Sequence, residues 1–217
     1  PANKNKIKKY KDRSIQEILA LPDVKPMAVN SINKNIRRLS QLFKWAAQNG
    51  YLHRNIVEGM SLPETKRQDQ YREVFTKNDL VKIFSTPIHQ TKEYRYSYYY
   101  WLPLLGLYTG ARIEEMCSLY LEDFRIEHGI HVISINSNHD KKLKSKAAQR
   151  LIPVHPQLEA LGLLDHVSQL KEKKESRLFP ELSKNRDGYS QVASRWFGKF
   201  KRQVGIASPT KVFHSFR

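Results

Sequence analysis

The sequence predicts a mainly α fold with a small antiparallel β-sheet, arranged as two modules. Three observations predict it. Apolar residues recur at helical spacing from Ala28 to Gln48 and again over 190–204, and two short β-prone runs flank a polar turn between Phe124 and Val154. Between the first helical stretch and the rest, residues 61–70 (Ser-Leu-Pro-Glu-Thr-Lys-Arg-Gln-Asp-Gln) have linker composition.

Residues 1 to about 13 are polar and lysine-rich and read as an exposed basic loop. Ser14 to Leu21 reads as a short helix opened by a serine cap. From Ala28 to Gln48, Val29, Ile32, Ile36, Leu39, Phe43 and Ala46 form one apolar stripe that predicts a buried helix face, and Asn49-Gly50 supplies a left-handed stop. After the linker, Thr76-Lys77-Asn78-Asp79-Leu80 has the form of a capped helix start, with Asp79 near the capping-box position. The run 94–108 holds Tyr94, Tyr96, Tyr98 to Tyr100, Trp101 and Leu102, and a segment this apolar is a core helix before it is a base-stacking platform. His131 to Ile135 and Arg150 to Val154 read as strands around a lysine-crowded turn, Asn136 to Gln149. In 190–204, Val192, Ala193, Trp196, Phe197, Phe200 and Val204 form an apolar face, and Arg195, Lys199 and Arg202 form a second stripe that can track a nucleic-acid backbone or lie simply solvated.

Thirty-eight Lys and Arg against 21 Asp and Glu give 217 residues a net charge of +17 and a pI near 9.9. A surface this cationic neutralises phosphates and releases counterions, so a polyanionic partner is the natural inference. Up to residue 70, fourteen basic residues face six acidic ones, a balance of +8, and the remainder carries +9. Both modules are therefore suited to grip one long polyanion. On the first long helix, Lys34, Arg38 and Gln41 lie away from the apolar stripe and Arg37 and Lys44 flank it, which makes Lys34, Arg38 and Lys44 candidate DNA contacts beside a plain solvated-face reading. The single Cys117 excludes an internal disulfide and a cysteine-rich metal site and fits a reducing compartment. The start, Pro1-Ala2-Asn3-Lys4-Asn5-Lys6, lacks the apolar core of a signal peptide, and no uninterrupted apolar run approaches membrane-spanning length.

Two short motifs carry the chemistry. If residues 112–120 are helical, Ile113, Met116, Cys117 and Tyr120 face the core, and Arg112 and Glu115 stand one turn apart on an adjoining face. Thr109-Gly110 just before them breaks the chain so that a helix starts near Arg112, where a guanidinium can meet an anion. At the other end of the sequence, His214-Ser215-Phe216-Arg217 places an imidazole and a guanidinium one turn apart. Each motif alone is weak evidence.

Their order is more specific. Thr-Gly-x-Arg-x-x-Glu, then a lysine in a β-hairpin turn shortly before an Arg-x-x-Pro strand, then His-x-x-Arg, resembles the active-site sequence of the tyrosine recombinases, the phage-integrase family. The run Leu42 to Leu52 and the following Asn55 resemble the end of that family's helical core-binding domain. The resemblance implies a core-binding module at 1–62, a linker at 63–72, and a catalytic domain at 73–217 that stops before the nucleophilic tyrosine and the preceding His or Trp. It also implies that Arg112 and Arg217 hold the scissile phosphate and that Glu115 orients Arg112 or His214. His214 donates to a phosphate oxygen or assists proton transfer, and a hairpin lysine protonates the leaving 5′-oxygen. That lysine is Lys144, with Lys146 the alternative in the neighbouring register. Tyr120 and Tyr189 are assigned no nucleophilic role.

On this resemblance the intact protein is a site-specific DNA recombinase of a phage, prophage or mobile element. It is expected in the bacterial cytoplasm with the nucleoid, acting as a homotetramer on double-stranded DNA through a 3′-phosphotyrosyl intermediate without metal or nucleotide cofactor. The 217-residue piece is expected to bind DNA, to be inactive in cleavage and to be able to exist as a monomer. The rival readings are a non-catalytic DNA-binding protein that keeps the fold, and an RNA-binding or ribosome-associated basic protein, which explains the charge but not the ordered motifs.

Overall fold

The computed structural model describes residues 8–22, 24, 26–63, 72–143 and 145–217. The chain forms two compact units, Pro1–Arg67 and Gln68–Arg217. It is mostly helical with one three-stranded antiparallel sheet. Residues 1–7 of the basic N-terminal segment and residues 64–71 of the linker lie outside the described residues.

In the first unit, α1 (Ile15–Leu19) opens on Ser14, whose hydroxyl accepts from the Glu17 amide while Glu17 accepts from the Ser14 amide. Helix α2 (Val29–Gln48) ends where Gly50 takes φ +77°, a conformation that costs glycine nothing, and the Gly50 and Tyr51 amides bond back to the Ala47 and Ala46 carbonyls. The chain after α2 is tied to it by Asn33, whose amide group exchanges two hydrogen bonds of 2.8 Å with the Leu62 backbone, and by Asn55, which donates to Ser40 Oγ at 2.7 Å. The stripe expected to be buried is buried only in part. Val29, Ile32, Ile36, Phe43 and Ala46 are half-covered, Leu39 is exposed, and Asn33 is the one α2 residue classed as fully buried. What packs along α2 through these side chains is an irregular segment, which covers less of a helix than a second helix does. Tyr10, placed by the sequence in an exposed loop, is buried.

The second unit is built around α5 (Ser97–Thr109), which is apolar on every side and is buried from Tyr100 to Gly106, with Tyr98 buried two residues earlier. Before it come α3 (Lys77–Phe84), opened by reciprocal Thr76 and Asp79 bonds, and α4 (Pro87–Gln90). Next follow α6 (Ile113–Cys117), then strands β1 (Phe124–Glu127), β2 (Ile130–Ile135) and β3 (Arg150–Pro153) in the order β1-β2-β3, and then α7 (Pro156–Ala160), α8 (Leu163–Glu172) and α9 (Ser190–Gln203). Phe124 pairs with Ile133, and Ile133 with Ile152, so the sheet turns one apolar row to the core. Strand β1 was not expected from the sequence. It is only four residues long and its turn is His128-Gly129, both with positive φ, instead of an Asn-Gly or Asp-Gly pair.

Helix α6 stops at Cys117, three residues short of the stretch considered from the sequence. Beyond Ser118 the backbone pairs with another segment: Leu121 N donates to Ser176 O and Leu178 N to Leu119 O. Tyr120 therefore lies outside the helix.

Candidate active site

Gly110, at φ +58°, ends α5 in the left-handed region, and the chain re-enters a helix after Arg112. The Arg112 amide donates to Glu115 Oε2 at 2.9 Å and its Nη1 donates to Glu115 Oε1 at 2.8 Å, so the residue that opens α6 is tied to its third helical position twice. The neighbouring Glu114 is used differently. Its carboxylate accepts from the Tyr189 and Ser190 amides at 2.9 and 2.8 Å, capping α9 from another helix, and Gly188 leaves the room: a Cβ there would overlap that carboxylate.

Glu115 is buried, with a side chain 4% exposed, and it holds a second arginine. Arg150, the first residue of β3, donates from Nη2 to Glu115 Oε2 at 2.8 Å and from Nη1 to the Ala148 carbonyl at 3.0 Å. Burial alone would raise the Glu115 pKa, but the hydrogen bonds from Arg150 and Arg112 outweigh it and hold the carboxyl below its ordinary value. Glu115 thus stays ionised between two guanidiniums.

The His-x-x-Arg motif lies in a short 3-10 turn, Phe213–Phe216, that packs on α5 at Gly106. An added Cβ at Gly106 would stand 2.8 Å from Phe213 Cζ and 3.0 Å from Phe216 Cδ2, so glycine is what lets the turn come this close. Phe213 is buried and Phe216 half-covered, which leaves His214 and Arg217 exposed on the opposite side of the turn. Arg217 Cγ lies 4.0 Å from the place a Gly110 Cβ would take, so the second motif returns to the start of the first. His214 is shifted below its ordinary pKa of 6.5, first by burial and then by the charges of Arg72, Arg217 and Arg112. Arg72 was not anticipated from the sequence. The residues just after it are pinned, Glu73 accepting from Thr210 Oγ1 at 2.6 Å and Phe75 N donating to Ser215 O at 3.2 Å. Among the described residues, neither Arg72 nor Arg217 makes an ion pair.

Arg112, Glu115, His214 and Arg217, far apart in sequence, are therefore brought together, and Arg150 and Arg72 join them. The model of the phage integrase family matches residues 73–217. The chain belongs to the phage integrase family.

Solved structures with the same fold include a lambda integrase dimer bound to a COC′ core site (20% identity, TM-score 0.60, covering 87% of this chain and 64% of that one). The Tn1549 transposon integrase in complex with transposon right end DNA matches at 16% identity and TM-score 0.59, covering 88% of this chain and 64% of that one. XerH site-specific recombinase bound to a palindromic difH substrate matches at 14% identity and TM-score 0.56, covering 93% and 62%. This integrase-family chain thus spans less than two thirds of the length of these proteins. No curated protein matches its sequence.

The hairpin lysine Lys144 lies outside the described residues, and Lys146 is described by its backbone alone, within a 3-10 turn. Both ends of the loop that carries them are anchored. At the first end, buried Lys141 donates to both oxygens of buried Asp123 at 2.7 Å, and Asp140 accepts from Tyr120 (2.9 Å), Tyr189 (2.5 Å), Arg177 (2.6 Å) and Lys184 (3.2 Å). At the second end stands Arg150. Tyr120 and Tyr189 donate their hydroxyls to Asp140, and burial together with that bond raises both phenols, Tyr189 to about 12.

Of the remaining candidates, Arg195, Lys199 and Arg202 lie exposed on α9, opposite buried Ala193, Phe197 and Phe200. Lys201 between them is buried and donates to the Ser208 carbonyl at 2.5 Å. In the first unit, Lys34 and Arg38 are exposed, and Lys44 joins Arg37 and Arg54 on the wall of a cavity of about 660 Å³. Among the described residues no group of three or more His, Cys, Asp or Glu is placed to hold a metal ion, and no helix is long and apolar enough to cross a membrane.

Proposed function

We propose that the chain binds double-stranded DNA and supplies the phosphate-activating part of a site-specific recombinase that cleaves and rejoins strands through a 3′-phosphotyrosyl link. The single observation that carries this reading is the gathering of Arg112, Arg217 and His214 around one exposed position, with buried Glu115 behind Arg112. Planar guanidiniums with donors to spare suit the non-bridging oxygens of a phosphodiester, whose charge grows in the pentacovalent transition state. Arg112 and Arg217 take that role. Glu115 bonds Arg112, which favours it as the orienter of that arginine over His214. His214, held below its ordinary pKa by burial and then by three arginines, gains a proton more readily once a phosphate offsets their charge, and so can donate to a phosphate oxygen. Lys144, or Lys146 in the alternative register, protonates the leaving 5′-oxygen. No step in this scheme calls for a metal or nucleotide.

The hydroxyls of Tyr120 and Tyr189, both donated to Asp140 and raised above the ordinary phenol pKa by burial and that bond, favour neither of the two as the nucleophile. Several structures sharing the fold were solved on DNA, one of them as a lambda integrase tetramer on a Holliday junction, and we infer the same partner and a homotetrameric working assembly here, with division at 1–62, 63–72 and 73–217. Arg195, Lys199, Arg202, Lys34, Arg38, Lys44 and, where Lys144 is the catalytic lysine, Lys146 are the proposed DNA contacts.

The test is direct. The 217-residue chain should bind duplex DNA with an affinity that falls steeply with salt, and Arg112→Ala or Arg217→Ala should each lower the slope of that dependence by about 1. On a nicked duplex it should form no SDS-resistant adduct. An adduct would place the nucleophile within these residues, and DNA binding that ignores salt would remove the reading altogether.

A further inference from the structure

We propose that Arg150 is a positioning residue: by holding one oxygen of Glu115, it keeps the charge of Arg112 available to an anion. The inference deepens the proposed function, since it rests on Arg112 as a phosphate ligand. Its starting point is a matter of counting donors and acceptors around a buried carboxylate. A carboxylate and a guanidinium pair most strongly as a two-bond fork, which neutralises both and uses two donors of the arginine. Glu115 is too well buried for solvent to occupy its second oxygen. Left with Arg112 alone, it would draw that arginine into the fork.

The structure prevents this with a second arginine on a separate element. Oε1 accepts from Arg112 Nη1, and Oε2 accepts from Arg150 Nη2 and from the Arg112 amide. The Arg112 guanidinium therefore meets Glu115 through one nitrogen, and among the described residues it makes no other hydrogen bond. Two guanidiniums sharing one carboxylate keep a net positive charge at the site, where one would keep none. Arg150 is well placed for this, because its backbone is paired with Ile135 in the sheet and its Nη1 is held by the Ala148 carbonyl. The same bond fixes the end of the loop that bears Lys146, so the sheet holds the carboxylate and the loop from one side chain.

The experiment titrates the 217-residue chain with inorganic phosphate at neutral pH and reads the His214 imidazole signals by NMR. Arg150→Met should weaken phosphate binding about fivefold, because the fork it allows with Glu115 cancels the Arg112 unit charge that bears on the phosphate at close range in water, while Arg150→Lys, which keeps a cation on Oε2, should retain most of it. In a Glu115→Gln background, Arg150→Met should cause no further loss, because no carboxylate remains to be shared. An equal loss in both backgrounds would mean that Arg150 acts on the phosphate through its own charge and would overturn the inference, as would unchanged binding in Arg150→Met. If Arg150→Met does not fold, Arg150→Gln against Arg150→Lys decides by the same titration, loss with Gln and retention with Lys being expected. Phosphate binding that survives Arg112→Ala would instead overturn the reading on which the inference rests.

Discussion

Asp140 and Glu115 each collect arginine in the same unit, but their surroundings leave the two clusters with different chemistry. Around Asp140, the guanidinium of Arg177 lies 4.0 Å from the ring centres of both Tyr120 and Tyr189, and its nitrogens bond Asp140, the Tyr120 hydroxyl and the Ser118 carbonyl. Its side chain is 13% exposed. Around Glu115, Arg112 is 36% exposed and uses one side-chain nitrogen, and Arg217 and Arg72 make no ion pair among the described residues. Both clusters carry more positive than negative charge. What separates a clamp from a binding site here is whether the donors are covered and bonded, since a guanidinium with its faces stacked and its nitrogens satisfied has nothing left to offer a phosphate.

The largest effect is expected on the clamp side. Asp123→Ala would leave Lys141 charged and buried without its partner, at a cost of about 3–5 kcal/mol in unfolding free energy by urea denaturation. A loss below about 1 kcal/mol would mean that the root of the loop is held by Asp140 alone. An intermediate effect is expected where the open site meets the core. Gly106→Ala forces the rings of Phe213 and Phe216 to give way, for about 1–3 kcal/mol of stability, and it should weaken DNA binding because His214 and Arg217 ride on the same turn. Stability lost with DNA binding intact would separate the turn's packing from the site.

The smallest effect is a titration. Replacing Arg72 by Gln removes the foremost of the three charges acting on His214, so the His214 pKa should rise, as read by NMR in the free chain. The sign of its linkage follows from the same depression. The unfolded chain binds the proton more tightly than the folded one, so His214 favours folding above its ordinary pKa of 6.5, and that contribution is lost as pH falls through the lower folded value. DNA affinity should move the opposite way, strengthening as His214 gains its proton. An unshifted His214 in Arg72→Gln would remove Arg72 from the open cluster.

Much of this molecule could be read in one dimension. The Ser14 cap, the Thr76 cap with Asp79 and the long α2 follow from spacing within a few residues, because helices present faces that repeat every three or four positions, and α5 follows from an unbroken apolar and aromatic run. Strand β1 escaped because four residues give too short an alternation, and the end of α6 escaped because its competitor for backbone hydrogen bonds lies near residue 177. Arg150 was visible as part of a motif, but not as a ligand of Glu115, because nothing local links residues 35 positions apart.

By itself, the sequence determined the charge, the helical periodicities and the family-like order Arg-Glu-Lys-His-Arg on which the proposed partner and chemistry rest, since these depend on residue type and short spacing alone. Only the tertiary structure decided which cations remain open to that partner. Lys141 and Arg177 are closed off while Arg112, Arg217 and Arg72 are not, and a charge is available or spoken for according to neighbours that the fold brings in from elsewhere along the chain.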